Sequence, residues 1–313
     1  MNFIIMNMSK FTFFENIFTG NNAFDNLDFL KKCYEYKMIN FNKILNNNIY
    51  EKYTLGEKKF LYSNSQNLEF YQTLYNLGKI NLLKEVGNTH NSITLSINNT
   101  TILDFKFLHS TNYELSKWLY GLGKINLNAK IINNAQGESD LITLLEHKFC
   151  YYDKNLHYYK WLYSIGTINL EKNSGYYYNG VNISILDWKF SSSKDYETLL
   201  WFYNIGKVNL NKNLTDNFTI LEYVFSNATD YKTCKWLHSL DKINLNKCKE
   251  NDNLTLLERK FLNIGNYEFS FWLYSLGPID FNKVDLVKIF NNCRCTNFNI
   301  KKNNYYKFQY KKK

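Results

Sequence analysis

Seven times along the chain a hydroxyl residue stands three positions ahead of an acid. The pairs are Thr12 and Glu15, Thr54 and Glu57, Thr101 and Asp104, Thr143 and Glu146, Ser184 and Asp187, Thr219 and Glu222, and Thr255 and Glu258. Carboxylates in such number are the raw material of acid–base catalysis or of a cation site, but their spacing argues for a different role. In a capping box the hydroxyl takes an orphan amide at a helix start, and the acid reaches back to the amide of the hydroxyl residue. The acid also sits at the positive end of the helix dipole. One such quartet is weak evidence, whereas seven in matching phase predict seven helix starts. Asp104 and Asp187 carry the shorter acid and are expected to serve the dipole more than the box.

The other chemistry-bearing residues are scattered. His90, His109, His147, His157 and His238 form no pair at ligand spacing. Cys293 and Cys295 are one residue apart, with no second Cys or His pair at zinc spacing. There is no glycine-rich phosphate loop, no Gly-x-Ser-x-Gly elbow and no His-Glu-x-x-His. The sequence therefore predicts no enzyme, no metal and no cofactor.

The elements that carry the quartets follow from a second recurring phrase, Trp272-Leu-Tyr-Ser-Leu-Gly-Pro-Ile-Asp-Phe-Asn282. It returns at Trp236, Trp201, Trp161 and Trp118, with worn copies at Thr73–Leu82 and Lys32–Asn42. Its aliphatic residue falls at Ile39, Ile80, Ile125, Ile168, Val208, Ile243 and Ile279, a period of 35 to 45 residues that marks a stacked repeat array. After each box a Phe (Phe18, Phe60, Phe107, Phe149, Phe190, Phe225, Phe261) completes the apolar face of a short helix. A second cap follows at Asn26, Asn67, Asn112, Asn155, Asp195, Asp230 and Asn266. The second helix then runs to the Trp phrase and stops at Gly78, Gly123, Gly166, Gly206 or Gly277, each expected in the left-handed C-cap conformation. Lys37 and Asp241 replace that glycine, so those ends are expected to be looser.

The predicted fold is an all-α helical-repeat solenoid of about seven degenerate helix-turn-helix units with extended loops between them. Residues 1–10 form an N-terminal segment, 11–292 the array with a partial eighth copy (Val284–Asn292) as its cap, and 293–313 a basic, flexible tail. A hydrophobic fraction of 45% suffices for such a core. The net charge of +10 is concentrated at the end: residues 286–313 hold Lys288, Arg294, Lys301, Lys302, Lys307, Lys311, Lys312 and Lys313 and no acid. No apolar run reaches the roughly 18 residues of a membrane span, and the start does not read as a secretory signal. The six cysteines are accordingly expected to be reduced thiols in the cytoplasm.

The phrase and its register resemble the ankyrin repeat. Gly265-Asn266, Phe269, Leu273-Tyr274, Gly277 and Ile279-Asp280 follow the second half of that repeat. The wording is similar to the divergent ankyrin-like repeats of giant DNA viruses over about residues 10–283. No copy has Pro after its Thr, and an acid stands where the family has His, so another helix-turn-helix array stays open. The resemblance implies a monomeric, non-catalytic scaffold that binds another protein on its concave face and loop tips. If the chain is viral, that partner is a host protein in the host cytoplasm.

Two columns of residues need placing. The indoles of Trp118, Trp161, Trp201, Trp236 and Trp272 recur at one station and are expected to pack between neighbouring copies. The outward positions of the first helices change from copy to copy: Asn16/Gly20, Lys58/Tyr62, Phe105/His109, His147/Tyr151, Trp188/Ser192, Tyr223/Asn227 and Arg259/Asn263. Aromatic residues and Arg of this kind dominate interface hot spots. Lys58, Tyr62, Phe105, His109, His147, Tyr151, Trp188, Tyr223 and Arg259 are therefore the candidate partner-binding residues. A neighbouring lysine column (Lys59, Lys106, Lys148, Lys189, Lys260) is expected to keep its ammonium groups in water. With the tail lysines Lys301, Lys302, Lys307, Lys311, Lys312 and Lys313 it supports the alternative, binding of nucleic acid or another polyanion.

Overall fold

The computed structural model describes residues 26–44, 53–86, 95–96, 100–133, 142–151, 155–178, 181–215, 218–248, 253–262 and 267–280. The chain divides into two compact units, Met1–Asn169 and Leu170–Lys313. The first holds helices α1 (Leu27–Glu35), α2 (Leu55–Tyr62), α3 (Leu68–Gly78), α4 (Ile102–His109), α5 (Tyr113–Gly121), α6 (Leu144–Tyr151) and α7 (Leu156–Ile165). The second holds α8 (Ile185–Ser192), α9 (Tyr196–Ile205), α10 (Ile220–Asn227), α11 (Tyr231–Leu240), α12 (Leu256–Leu262) and α13 (Tyr267–Leu276). These are the two helices of copies two to seven and the second helix of copy one. The Thr12–Glu15 quartet, the partial eighth copy and the tail with Lys301, Lys302, Lys307, Lys311, Lys312 and Lys313 lie outside the described residues.

Every described quartet stands at a helix start. At Thr143 all four orphan amides of that start find acceptors. Leu144 N donates to Ala129 O (2.8 Å) and Leu145 N to Leu127 O (3.1 Å). Glu146 N donates to Thr143 Oγ1 (3.1 Å), and Thr143 N to Glu146 Oε2 (2.7 Å). The first two acceptors belong to the chain leaving the preceding copy. The same pair of bonds recurs at Leu55 and Gly56, Ile102 and Leu103, Ile185 and Leu186, Ile220 and Leu221, and Leu256 and Leu257. Asp104 does more than serve the dipole, since it closes a full reciprocal box with Thr101. Ser184 accepts Asp187 N at 3.1 Å.

The box acid has a second task that the quartets do not announce. Its other oxygen accepts the amide that follows the aliphatic residue of the exit phrase. Asn81 N reaches Glu57 at 3.3 Å, Asn126 N reaches Asp104 at 2.9 Å, and Asn169 N reaches Glu146 at 3.2 Å. In the second unit Asn209 N reaches Asp187 at 2.9 Å, Asn244 N reaches Glu222 at 3.3 Å, and Asp280 N reaches Glu258 at 3.0 Å. One carboxylate thus ties the start of a copy to its exit. Lys84 on Glu57 (2.7 Å) and Lys247 on Glu222 (2.9 Å) add a counter-ion in two copies.

The second helices start as the sequence predicts. Asn26, Asn67, Asn112, Asn155, Asp195 and Asp230 accept first-turn amides with their side chains; Asn266 lies outside the described residues. Their ends differ from expectation. Only Gly123 is left-handed among the described glycines (φ 80°), whereas Gly166 and Gly206 are extended, at φ −176° and −166°. Space explains these two: a Cβ on Gly206 would lie 2.6 Å from Leu186 Cδ2, and one on Gly166 2.7 Å from Leu145 Cδ2. Asp241 takes the same extended conformation (φ −163°), so the end of copy six has the same geometry as those with glycine. Three lysines instead adopt positive φ: Lys37 at 51°, Lys79 at 43° and Lys124 at 73°. Each costs about 1 kcal/mol relative to glycine in that conformation.

The connections are not plain extended loops, which corrects the all-α expectation to a mostly helical fold with short strands. In the first unit β1 (Leu95–Ser96), β2 (Lys130–Asn133) and β3 (Ile142–Thr143) form an antiparallel sheet in that order. In the second, β4 (Asn173–Tyr178) pairs with β5 (Val181–Ser184), and β6 (Asn213–Thr215) with β7 (Phe218–Thr219). Each hairpin carries the chain from one copy's exit to the next copy's box.

The core repeats as well. Leu74, Leu119, Leu162, Phe202, Leu237 and Leu273, the residues after the Trp station, are fully buried, and Phe60, Phe107, Phe149, Phe190, Phe225 and Phe261 are buried as well. Each such side chain contributes about 1.5–3 kcal/mol. The indoles join copies, as predicted. Trp118 meets Phe60 and Tyr75 of the copy before it, and Trp161 meets Phe107, Tyr113 and Tyr120. Trp236 does the same with Phe190, Tyr196 and Tyr203, and Trp272 with Phe225, Tyr231 and His238.

Because Glu146 serves two backbone segments, Glu146→Ala should cost about 3 kcal/mol, the scale of losing two charge-assisted bonds at a buried site. Thr143→Ala, which loses one cap, should cost about 1 kcal/mol. Urea midpoints of the two variants measure the difference; equal shifts would reduce Glu146 to an ordinary cap.

Candidate functional site

The outward stripe of the first helices is present and only half open to solvent. Lys58 and Tyr62 on α2, Phe105 and His109 on α4, Tyr151 on α6, Trp188 on α8, Tyr223 on α10 and Arg259 on α12 are all half-buried. His147 is buried, at 6% exposure. Neighbours one helical turn apart pair with each other: Phe105 and His109 have ring centroids 4.4 Å apart, and His147 stacks on Tyr151 at 4.1 Å and 14°. The two pairs occupy successive copies of the first unit. Burial, then the charges of His109 and Lys148, push the His147 imidazole down to about 3. Burial also lowers the Lys58 ammonium. The stripe in this unit is therefore an aromatic surface with a neutral imidazole in it.

The lysine column is overturned as a solvent-facing feature. Lys59, Lys106, Lys148, Lys189 and Lys260 are at most 4% exposed. All five stand five residues after the box hydroxyl. Lys106, Lys148 and Lys260 reach the carbonyls at the C-terminus of the preceding copy's first helix, the negative end of its dipole. Lys106 Nζ donates to Ser63 O, which also accepts Tyr71 OH at 2.7 Å, and lies 4.4 Å from the Tyr71 ring centre. Lys148, fully buried, donates to Phe107 O, Ser110 O and Ser110 Oγ. Ser110 Oγ continues to Ser116 Oγ (2.6 Å) and that to Tyr158 OH (2.6 Å). In the second unit Lys260 donates to Ala228 O and Ser226 O. Burial lowers the Lys260 ammonium and pushes the Cys234 thiol beside it up to about 11, against the pull of the Lys260 charge.

Copy six has Val224, and copy one Ile17, where the other five have lysine. In the helix before Val224, α8, Ser193 N donates to Phe190 O (3.3 Å), while the serine hydroxyls serve carbonyls further back: Ser191 Oγ donates to Trp188 O (2.9 Å), and Ser192 and Ser193 Oγ to Lys189 O (3.2 and 2.7 Å). The station therefore works as a carbonyl donor and not as a ligand for a polyanion.

A different set of lysines does face solvent. Lys37, Lys79 and Lys124 end second helices in the first unit, and Lys207 and Lys242 do so in the second; all are exposed. The signal was in the sequence as Gly-Lys-Ile-Asn at 78–81 and 123–126, read there only as part of the repeat phrase. Cys33, Cys150, Cys234 and Cys248 are free thiols. Among the described residues no group of three or more His, Cys, Asp or Glu is placed to hold a metal ion, and no helix is long and apolar enough to cross a membrane.

No family model matches the chain, and no curated protein matches it in sequence. Among solved structures it is similar to the crystal structure of the human ASB11 ankyrin repeat domain, at 15% identity and a TM-score of 0.38. That likeness covers 71% of this chain and 83% of that one. The description of the repeat given above rests on the bonds within the chain.

Lys148→Met should cost about 3 kcal/mol, since buried carbonyl and hydroxyl acceptors lose their donor while the volume is kept; a urea midpoint like the wild type would contradict this. His147, with its pKa held below the ordinary 6.5, contributes stability above that pH and loses it as pH falls toward 3. Between pH 6.5 and 5 the wild type should lose about 2 kcal/mol more than His147→Phe. Identical pH slopes for the two proteins would remove His147 from the account.

Proposed function

We propose that the chain is a non-catalytic, monomeric binding scaffold of the ankyrin-like kind, whose protein partner lies across the outward stripe of the first helices. One observation carries this reading. From copy three to copy seven the box, the exit amide, the core Leu or Phe and the indole keep their chemistry, while the stripe runs Phe105, His147, Trp188, Tyr223, Arg259. Half-open aromatic and Arg side chains on rigid helices lose little entropy on binding and supply the anchors on which interfaces depend. The carboxylates of Glu57, Asp104, Glu146, Glu222 and Glu258, the natural candidates for catalysis, are each committed to two backbone amides. The wording of the repeats extends the proposal to a viral protein that engages a host protein in the host cytoplasm.

The test uses the full chain as bait in a lysate of the cell that expresses it, with captured proteins identified by mass spectrometry. Trp188→Ala combined with Tyr223→Ala should abolish capture of the specific partner and leave the helical circular dichroism unchanged. Retained capture by this variant would retire the reading.

A further inference from the structure

The far end of the second helices in the Met1–Asn169 unit has a chemistry unlike that of the first-helix stripe. The first three of these four helices carry an acid in the first turn, Asp28, Glu69 and Glu114, and a lysine at or just past the end, Lys37, Lys79 and Lys124; α7 has neither. Helices of 9 to 11 residues hold these groups about 14–16 Å apart. Charges in physiological salt are screened over about 8 Å, so the first-turn acids do not neutralise the lysines. In sequence Glu35 stands two residues before Lys37, Glu85 six after Lys79 and Lys130 six after Lys124; all three are exposed. Lys84 is engaged by Glu57 at 2.7 Å.

The three lysines share a backbone conformation that suits glycine better, at φ 51°, 43° and 73°. Chain reversal alone would favour glycine at each. Beside the lysines runs a row of half-open rings. Tyr75 lies edge-on to Trp118 at 6.0 Å, and Tyr120 edge-on to Trp161 at 5.9 Å. Tyr34 and Tyr163 hold the same station in copies one and four and are 52% and 40% exposed. Tyr75 and Tyr120 stand four residues before Lys79 and Lys124. A lysine three or four residues past a partly open ring, in three successive copies, matches a single strand, whose phosphates take the cations and whose unpaired bases stack on the rings. A duplex offers the phosphates without free base faces, and an acidic peptide offers charge without stacking.

We propose that this tyrosine–lysine edge binds single-stranded nucleic acid, at a surface separate from the first-helix stripe. The test is fluorescence anisotropy of a labelled short oligothymidylate with the full chain, its duplex counterpart and polyglutamate serving as competitors. Lys79→Gly combined with Lys124→Gly separates binding from structure, because glycine suits the left-handed backbone. The variant should melt at or above the wild-type temperature, bind at least about tenfold more weakly, and show a salt slope shallower by about 1.4. Tyr163→Ala should weaken binding about tenfold. No binding by the wild type would overturn the proposal. So would unchanged affinity in the double lysine variant, which would assign the binding to residues such as Lys301–Lys313. Equal competition by duplex or polyglutamate would overturn it too, by showing attraction without stacking.

Discussion

In five of the described copies a single buried carboxylate holds the copy together at both ends. One oxygen takes the amide of the capping residue, and the other takes an amide 22 to 24 residues later, where the chain leaves the copy. The two helices between are closed into a loop by groups that are only 3–4% exposed. Water cannot replace such a partner, and a charge-assisted bond is worth roughly twice a neutral one. The shorter acids are not weaker versions of the device. Asp104 and Asp187 bring the exit amide to 2.9 Å, against 3.0–3.3 Å for the glutamates.

What the carboxylate does within a copy, the buried lysine does between copies. Indoles and phenyl rings pack one copy on the next, but apolar packing has little direction. A lysine reaching the last carbonyls of a particular neighbouring helix does have direction, and it fixes which turn of one copy faces which turn of the next. Removing one partner of such a buried polar set costs far more than replacing the whole set by an apolar one. Val224 is the apolar alternative within this chain: the lysine is gone, and Phe190 O on the helix before it takes the amide of Ser193.

The quartets, the second caps and the indole packing were legible because they depend on residues near one another in sequence or on a strict period. Lysine burial was not. Its acceptors are backbone carbonyls some 40 residues away, and carbonyls have no residue type to read. Nor was the second task of the box acid, although the narrow interval, 24 residues from Glu57 to Asn81 and 23 from Glu146 to Asn169, could have suggested it. The glycines at 166 and 206 were legible as to place and misread as to cause, since both a left-handed turn and a crowding leucine call for a residue without Cβ. The aromatic stripe was located by counting from Phe107 and Phe149. Its internal pairing, with His147 held neutral against Tyr151, depends on burial and on Lys148 below it.

These commitments decide where the chain can vary. Box, exit, core and indole stations are each bound to a second segment, so a change there must be answered elsewhere. Two sets of positions escape: the outward residues of the first helices and the ends of the second helices. Charge follows the same division. Lys59, Lys106 and Lys148 add to the formal charge of the first unit yet present almost no surface. The cations that a ligand can meet there are the exposed ones at helix ends, Lys37, Lys79 and Lys124. Net charge therefore says little about this protein's attraction for anions until each lysine is assigned to its station.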